Sequence, residues 1–339
     1  MNKPMKLIEL CAGAGGQAIG LHKAGFESIA LVEWNPKACQ TLRYNHPEWP
    51  VIEVDLKQFD TTPYQGQEIT LIAGGVPCQP FSIAGQQLGN YDERDLFPEA
   101  IRIVSEIQPQ AFLFENVAGL ASAKFDSYRE RIISDFEDLG YVVEYCIINA
   151  MHFGVPQDRK RFLIVGKKGI KTPFPWPEAN PKLLTVGEVL SDLIAEAQWP
   201  GAQNWALQAN KVAPTIVGGS EKHGGPDLGP TRARKMWANM NVDGLGIANA
   251  PPDKDFPMDG MPKLTTQMVA LLQGFPPDWV FPHKKTATYR QIGNAFPPPV
   301  AEAMGLAIIE WLKADSMLKL QNMPVPFYKK PVQLKLNFG

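Results

Sequence analysis

Cysteine is scarce in this sequence, with four in 339 residues (Cys11, Cys39, Cys78 and Cys146) and no two closely spaced. A zinc knuckle or a disulfide framework needs paired thiols, so neither organises the fold. The five histidines, His22, His46, His152, His223 and His283, show no HExxH or comparable ligand spacing, and no metal is expected in the chemistry. Long hydrophobic runs are missing too. Met1-Asn2-Lys3-Pro4-Met5-Lys6 leads into only a short apolar stretch, and nothing approaches the roughly 18 apolar residues of a spanning helix, which reads as a cytoplasmic protein. Nor is there an excess of charge of one sign. With a formal net charge of -2, the field of the whole molecule does not attract nucleic acid, and any basic surface must be local.

What is present is an ordinary globular composition, 45% hydrophobic and 20% charged, which supports a packed core. The length exceeds what a single core usually serves, so a large and a smaller domain are expected. Between residues 6 and 166, short apolar runs alternate with helical patterns. Lys6 to Leu10, Ser28 to Glu33, Thr70 to Ala73, Ala111 to Glu115, Tyr141 to Asn149 and Arg161 to Val165 read as strands. That alternation predicts an α/β fold with a doubly wound, mostly parallel sheet.

The pattern breaks at Thr172-Pro173-Phe174-Pro175-Trp176-Pro177. From there to Pro262 the chain is rich in Pro, Gly, Asn and Trp, with one clear helix near Thr185 to Glu196, and residues 172–262 read as a smaller, irregular domain. Residues 263–315 return to helical periodicity and rejoin 1–171 in the large domain. Their helix from Pro299 to Lys313 carries proline in its first turn. The tail, 316–339, is expected to be a loosely attached strand or arm.

The first strand runs into Cys11-Ala12-Gly13-Ala14-Gly15-Gly16-Gln17-Ala18 and then a helical face. Glycines at such a turn let a ligand approach the backbone at the sheet's carboxyl edge. The next strand ends in Glu33, where an acid can hold ribose hydroxyls, and Asp55 follows the run Val51 to Val54. An adenosine-containing cofactor fits. Gly13-x-Gly15-x-x-Ala18 with Glu33 fits a nicotinamide or flavin dinucleotide nearly as well, and this end alone leaves both open.

After the strand Thr70 to Ala73 comes Gly74-Gly75-Val76-Pro77-Cys78-Gln79-Pro80-Phe81-Ser82, a cysteine between two prolines at a strand's carboxyl end. Neighbouring cations would make such a thiol a nucleophile, whereas in isolation it could equally be a small buried side chain. Glu115-Asn116-Val117 brings a carboxylate to the same edge, and Gln157-Asp158-Arg159-Lys160-Arg161 precedes a further strand. Alternation there puts Gln157, Arg159 and Arg161 on one face.

In this order, the Gly13 turn, Pro77-Cys78-Gln79-Pro80-Phe81-Ser82, Glu115-Asn116-Val117, Gln157-x-Arg159-x-Arg161, Leu272-Gln273-Gly274-Phe275-Pro276 and Gln291-Ile292-Gly293-Asn294-Ala295-Phe296-Pro297-Pro298-Pro299 resemble the DNA (cytosine-5)-methyltransferase family. The absence of a long regulatory extension resembles its prokaryotic restriction-modification or phage type. The resemblance implies a Rossmann-like methyltransferase fold with a target-recognition domain, S-adenosyl-L-methionine as cofactor and a flipped cytosine in double-stranded DNA as substrate. It implies Cys78 as the nucleophile at C6, Glu115 at N3 and the exocyclic amine, Arg159 steadying the base and the thiolate, and Arg161 in support. Gly13, Gly15, Glu33, Trp34, Asp55, Leu56, Pro77 and Asn294 would face the cofactor. Residues 81 to 96 would close over the base. A monomer is implied, together with a cognate restriction endonuclease as a possible partner. A catalytically decayed DNA- or RNA-binding relative is the alternative reading. Two departures stand out: Cys11 occupies a position where the family usually has Phe, and Thr266-Gln267-Met268 replaces a common Arg-Glu pair.

Two stretches are locally basic. Residues 157–171 hold Arg159, Lys160, Arg161, Lys167, Lys168 and Lys171 against Asp158 alone, and residues 211–240 hold Lys211, Lys222, Arg232, Arg234 and Lys235 against Glu221 and Asp227. Phosphate contacts are expected there, with Ser82, Lys211, Arg232 and Arg234 as DNA-binding residues and the middle of the 172–262 segment, around Gly218 to Gly225, following a groove.

Overall fold

The computed structural model describes residues 3–77, 95–169, 171–196, 198–218 and 227–321, the last seven of these by backbone alone. Cys78, Ser82, the proposed closing loop up to residue 94 and most of the glycine-rich segment 218–225 lie outside them.

Seven strands form one sheet in the order β3-β2-β1-β4-β5-β8-β6: β1 (Met5–Leu10), β2 (Phe26–Glu33), β3 (Val51–Glu53), β4 (Leu71–Gly74), β5 (Ala111–Val117), β6 (Tyr141–Asn149) and β8 (Lys160–Lys168). The first five are parallel, and β8 lies antiparallel between β5 and β6. The central strands are continuous apolar runs because both faces are covered. Leu7, Ile8, Leu10, Leu71, Ile72, Phe112 and Leu113 are wholly buried. On one face α1 (Gly16–Ala24) and α10 (Pro298–Gln321) pack through Leu21, Val300, Met304, Ile308 and Trp311. On the other, α3 (Phe97–Ile107) and α4 (Asp126–Asp138) contribute Phe97, Ile103, Ile132 and Phe136. The doubly wound expectation holds. Strand order reverses between β1 and β4, and the crevice at the carboxyl ends of those two strands is where such sheets bind ligands.

A third cluster joins the insert to the sheet domain. Helices α5 (Val186–Glu196), α6 (Ala202–Gln208) and α7 (Thr231–Ala238) bury Trp199, Trp205 and Trp237 in one apolar body with Leu31, Leu42 and Trp49. α2 (Pro36–Asn45), α8 (Thr266–Leu272) and α9 (Lys285–Asn294) complete it. Two short strands, β7 (Gln157–Asp158) and β9 (Ala213–Pro214), pair in parallel at the seam. Two expectations are corrected. The insert has three described helices rather than one, since α6 and α7 span under three turns and are held by buried tryptophans rather than by a long periodic face. The last helix continues to Gln321, because no Gly or Pro follows Lys313 until Pro324, so residues 316–321 are not a strand or arm. No described helix is long and apolar enough to cross a membrane.

Candidate active site

The turn after β1 is built on left-handed backbone. Cys11, Gly13 and Gly15 have φ of 54°, 56° and 91°. A side chain on Gly15 would collide with Leu42 and Trp279, whereas one on Gly13 would meet no atom within 4 Å, so the space beside Gly13 is open to a ligand. Glu33, at the end of β2, is nearly buried and braces this turn. One carboxylate oxygen accepts the Gly13 amide at 2.8 Å and the other accepts the Asn35 amide at 2.8 Å. Desolvation pushes its carboxyl above the usual range, and the backbone amides of Asn35, Gly13 and Trp34 oppose that shift. Next to it the Trp34 indole is 68% exposed, an aromatic face left uncovered. Asp55 is exposed and caps the following short helix by accepting the Lys57 amide. Leu56 buries its side chain in the core, so only its backbone is available to a ligand.

These features fit the adenosine part of S-adenosyl-L-methionine: an open glycine turn, an uncovered indole and acids at the ends of adjacent strands. Cys11 also belongs to this turn. Burial, followed by the charges of Glu33, Asp55 and Glu9, raises its thiol far above the ordinary value, which disfavours the thiolate.

At the end of β4, Asn116 Nδ2 donates to Val76 O at 3.0 Å, and Leu96 N donates to Pro77 O at 3.0 Å. The backbone on both sides of the Cys78 loop is thus anchored. Glu115 stands beside it: a side chain added at Gly75 would lie 3.3 Å from Glu115 Oε2. Arg161 Nε meets Glu115 Oε1 at 2.6 Å, with both side chains 13% exposed. Antiparallel register sets this up, because β5 and β8 pair Val117 with Arg161 and Glu115 with Leu163.

Arg159 stands elsewhere. It is 1% exposed and donates to the carbonyls of Ile216 (2.7 Å), Gly293 (2.9 Å) and Ala295 (3.0 Å). Burial, and then the Arg161 cation, push its guanidinium well below the usual arginine value, against the pull of Glu115. It is therefore Arg161, not Arg159, that the structure brings to Glu115. Arg159 lies between β7 and β8, and Gln157, Arg159 and Arg161 face inward while Asp158 and Lys160 are exposed, as alternation predicts. Asn294, at the end of α9, is exposed and abuts the insert at Gly218.

The basic stretch 157–171 loses most of its expected phosphate contacts. Arg159 and Lys167 are interior, Arg161 is paired, and Lys168 bonds Gln108 and lies over the Tyr141 ring, which leaves Lys160 and Lys171 exposed. In the insert Lys211 and Arg232 are exposed, whereas Arg234 is half-buried and leans on Thr231 and Asp227. Sequence reading passed over Gln157 and Gln273 as site residues. Both are wholly buried, with Gln157 Nε2 donating to Gln273 Oε1 at 2.7 Å and Gln273 Nε2 to Ala295 O at 2.6 Å. Their positions inside two of the quoted motifs were the available signal.

The chain is similar to several known proteins. The family model described as C-5 cytosine-specific DNA methylase matches residues 5–310. Type II methyltransferase M.NgoMIV of Neisseria gonorrhoeae is 51% identical over 316 residues, covering 91% of this chain and 98% of that protein. Type II methyltransferase M.NaeI of Lentzea aerocolonigenes is 50% identical over 307 residues, covering 90% and 74%. Among solved structures, a putative DNA modification methyltransferase from an Escherichia coli prophage superposes with a TM-score of 0.63 at 23% identity over 91% of this chain and 99% of that one, a likeness of fold. With a matching family model over nearly the whole length and two half-identical relatives, the chain belongs to the C-5 cytosine-specific DNA methylase family.

Proposed function

We propose that the chain methylates one cytosine within a fixed double-stranded sequence through a covalent adduct, with Cys78 as nucleophile and the Glu115–Arg161 pair holding the flipped base. As a member of its family it moves a methyl group from S-adenosyl-L-methionine to C5 of cytosine in DNA. The observation that carries the finer reading is the Glu115–Arg161 contact at the carboxyl edge of β5, beside the Gly75 backbone and three residues before Cys78.

C5 of cytosine is a weak nucleophile. Addition of the Cys78 thiolate at C6 makes C5 carbanion-like, as covalent catalysis requires. Glu115, at N3 and the exocyclic amine, supports protonation of the ring as charge builds. Arg161 orients Glu115 and supplies the cation at the base, the part that the family resemblance implies for Arg159. When bound, S-adenosyl-L-methionine supplies an electrophilic methyl group. Glu33, Trp34, Asp55, the Gly13–Gly15 turn, Pro77 and Asn294 are the residues we assign to holding it. Loss of the C5 proton and elimination of Cys78 then complete the cycle. Residues 172–262 are assigned to target recognition, with Lys211, Arg232 and Ser82 at the DNA and Arg234 in a supporting place. The relatives' names as Type II methyltransferases support a cognate endonuclease that cuts the same sequence when it is unmethylated.

The test uses duplex DNA with 5-fluorocytosine at the target. Fluorine blocks the final elimination, so a cofactor-dependent adduct stable to denaturing electrophoresis is expected with the unaltered chain and is lost in Cys78→Ser. Glu115→Gln and Arg161→Ala should each slow its formation by roughly 10²- to 10⁴-fold. An adduct that persists in Cys78→Ser would overturn the nucleophile.

A further inference from the structure

We propose that Arg159 is a positioning residue, a clasp that locks residues 213–218 of the insert to the C-terminal end of α9 so that DNA held by the insert sets the geometry of the catalytic edge. This rests on the reading that the insert carries recognition. Four observations converge on one seam. First, the Arg159 guanidinium is buried, has no carboxylate partner among the described residues and binds three carbonyls, one from the insert and two from the C-terminal end of α9, at Gly293 and the capping residue Ala295. Second, Gln157 extends the clasp, accepting the Ile216 amide at 2.9 Å and reaching Ala295 through Gln273. Third, the backbones touch: a side chain on Gly293 would lie 2.5 Å from Gly218 N, and one on Gly218 would lie 2.2 Å from Asn294 Oδ1. Fourth, β7 pairs with β9, and Thr215 Oγ1 donates to Asp158 O at 2.5 Å.

A seam needing only cohesion would be filled more favourably by apolar side chains, because desolvating an unpaired cation is costly. What the planar fork adds is direction, since several carbonyls are fixed at once by one rigid group. Two residues along the chain, Arg161 meets Glu115. The insert, Asn294 and the Glu115–Arg161 pair therefore hang on one short stretch of backbone, and a shift of the insert on the wrong DNA sequence is felt at the chemistry.

Arg159→Lys keeps a buried cation but loses the fork. Gln273→Met keeps volume and leaves Arg159 in place, while cutting the Gln157–Gln273–Ala295 link. Both variants and the unaltered chain are incubated with mixed-sequence genomic DNA, and 5-methylcytosine is mapped by bisulfite sequencing, alongside calorimetric titration with S-adenosyl-L-methionine. Methylation at contexts one base away from the preferred one should rise by about tenfold relative to the preferred context, part of the discrimination a mismatched pair ordinarily carries. Any loss of cofactor affinity through Asn294, read from the titration, acts on every context alike and leaves the ratio between contexts unchanged. A merely structural role would lower all contexts together, and that outcome, or an unchanged pattern, would overturn the clasp. If Arg159→Lys does not fold, Gln273→Met decides by the same criteria. Absence of 5-methylcytosine with the unaltered chain would instead overturn the functional reading, and the clasp's role with it.

Discussion

Glu9 is the residue whose cost is plainest. It sits near the carboxyl end of β1 with 1% exposure, one oxygen unpartnered and the Ala18 amide as the hydrogen bond that favours its charge. Desolvation, and then the Glu33 carboxylate, raise its pKa well above the ordinary glutamate value. A raised acid keeps its proton to higher pH in the folded chain than in the unfolded one. Its contribution to stability is therefore present in full below the unfolded value of about 4.3 and is lost as pH rises through the folded value. Gln cannot titrate and preserves the acceptor for Ala18. The melting temperature of Glu9→Gln should accordingly gain on the unaltered chain as pH rises from about 4, at on the order of 2 °C per kcal/mol, and level off above the raised value. Thermal denaturation across this range reads it directly, and because Glu33 titrates in both proteins its influence cancels to first order. A gap independent of pH would show that Glu9 is not the raised acid.

Among the elements, the pairing of α1 with α10 depends on two glycines. A side chain on Gly20 would stand 2.2 Å from Pro298 O and 2.6 Å from Ala301 Cβ, and one on Gly16 would stand 2.3 Å from Phe296 O. The obstacle is backbone, which cannot swing away. Gly20→Ala should therefore destabilise by about 1–3 kcal/mol despite the better helix propensity of alanine, whereas Gly119→Ala, with nothing within 4 Å, should leave melting nearly unchanged. Equal melting of the two variants would mean the helices separate at no cost. The same elements show what sequence could convey. β1, β4 and β5 were legible because strands covered on both faces are continuous apolar runs. α6 and α7 were not, since their stability comes from Trp205 and Trp237 burying against distant segments. Glu33 and Glu115 were legible as acids near the carboxyl ends of their strands, the edge at which doubly wound sheets bind ligands. The Glu115–Arg161 contact and the hold of Arg159 on Ile216, Gly293 and Ala295 could not, because both depend on which distant segments meet the inward face of residues 157–161.

At the scale of the whole molecule, the insert and the sheet domain share a core. Leu31, Leu42, Trp49 and Ile292 lie in the same cluster as Val186, Trp205, Trp237 and Met240. Deleting residues 172–262 would uncover that surface, and a large exposed apolar patch leads to aggregation. Exchange should succeed where deletion fails, provided the seam is kept. Phosphate contacts carry affinity without sequence information, whereas base-edge contacts carry the information, so specificity should travel with the segment that supplies base contacts. Replacing residues 172–262 by the aligned segment of M.NgoMIV, 51% identical overall, leaves Gln157, Arg159 and Gln273 in place to receive it. The chimera should be soluble and active, and bisulfite maps should show it methylating the donor's contexts wherever the two parents differ. An active chimera that kept the contexts of the unaltered chain would move sequence reading out of the insert and onto the sheet domain.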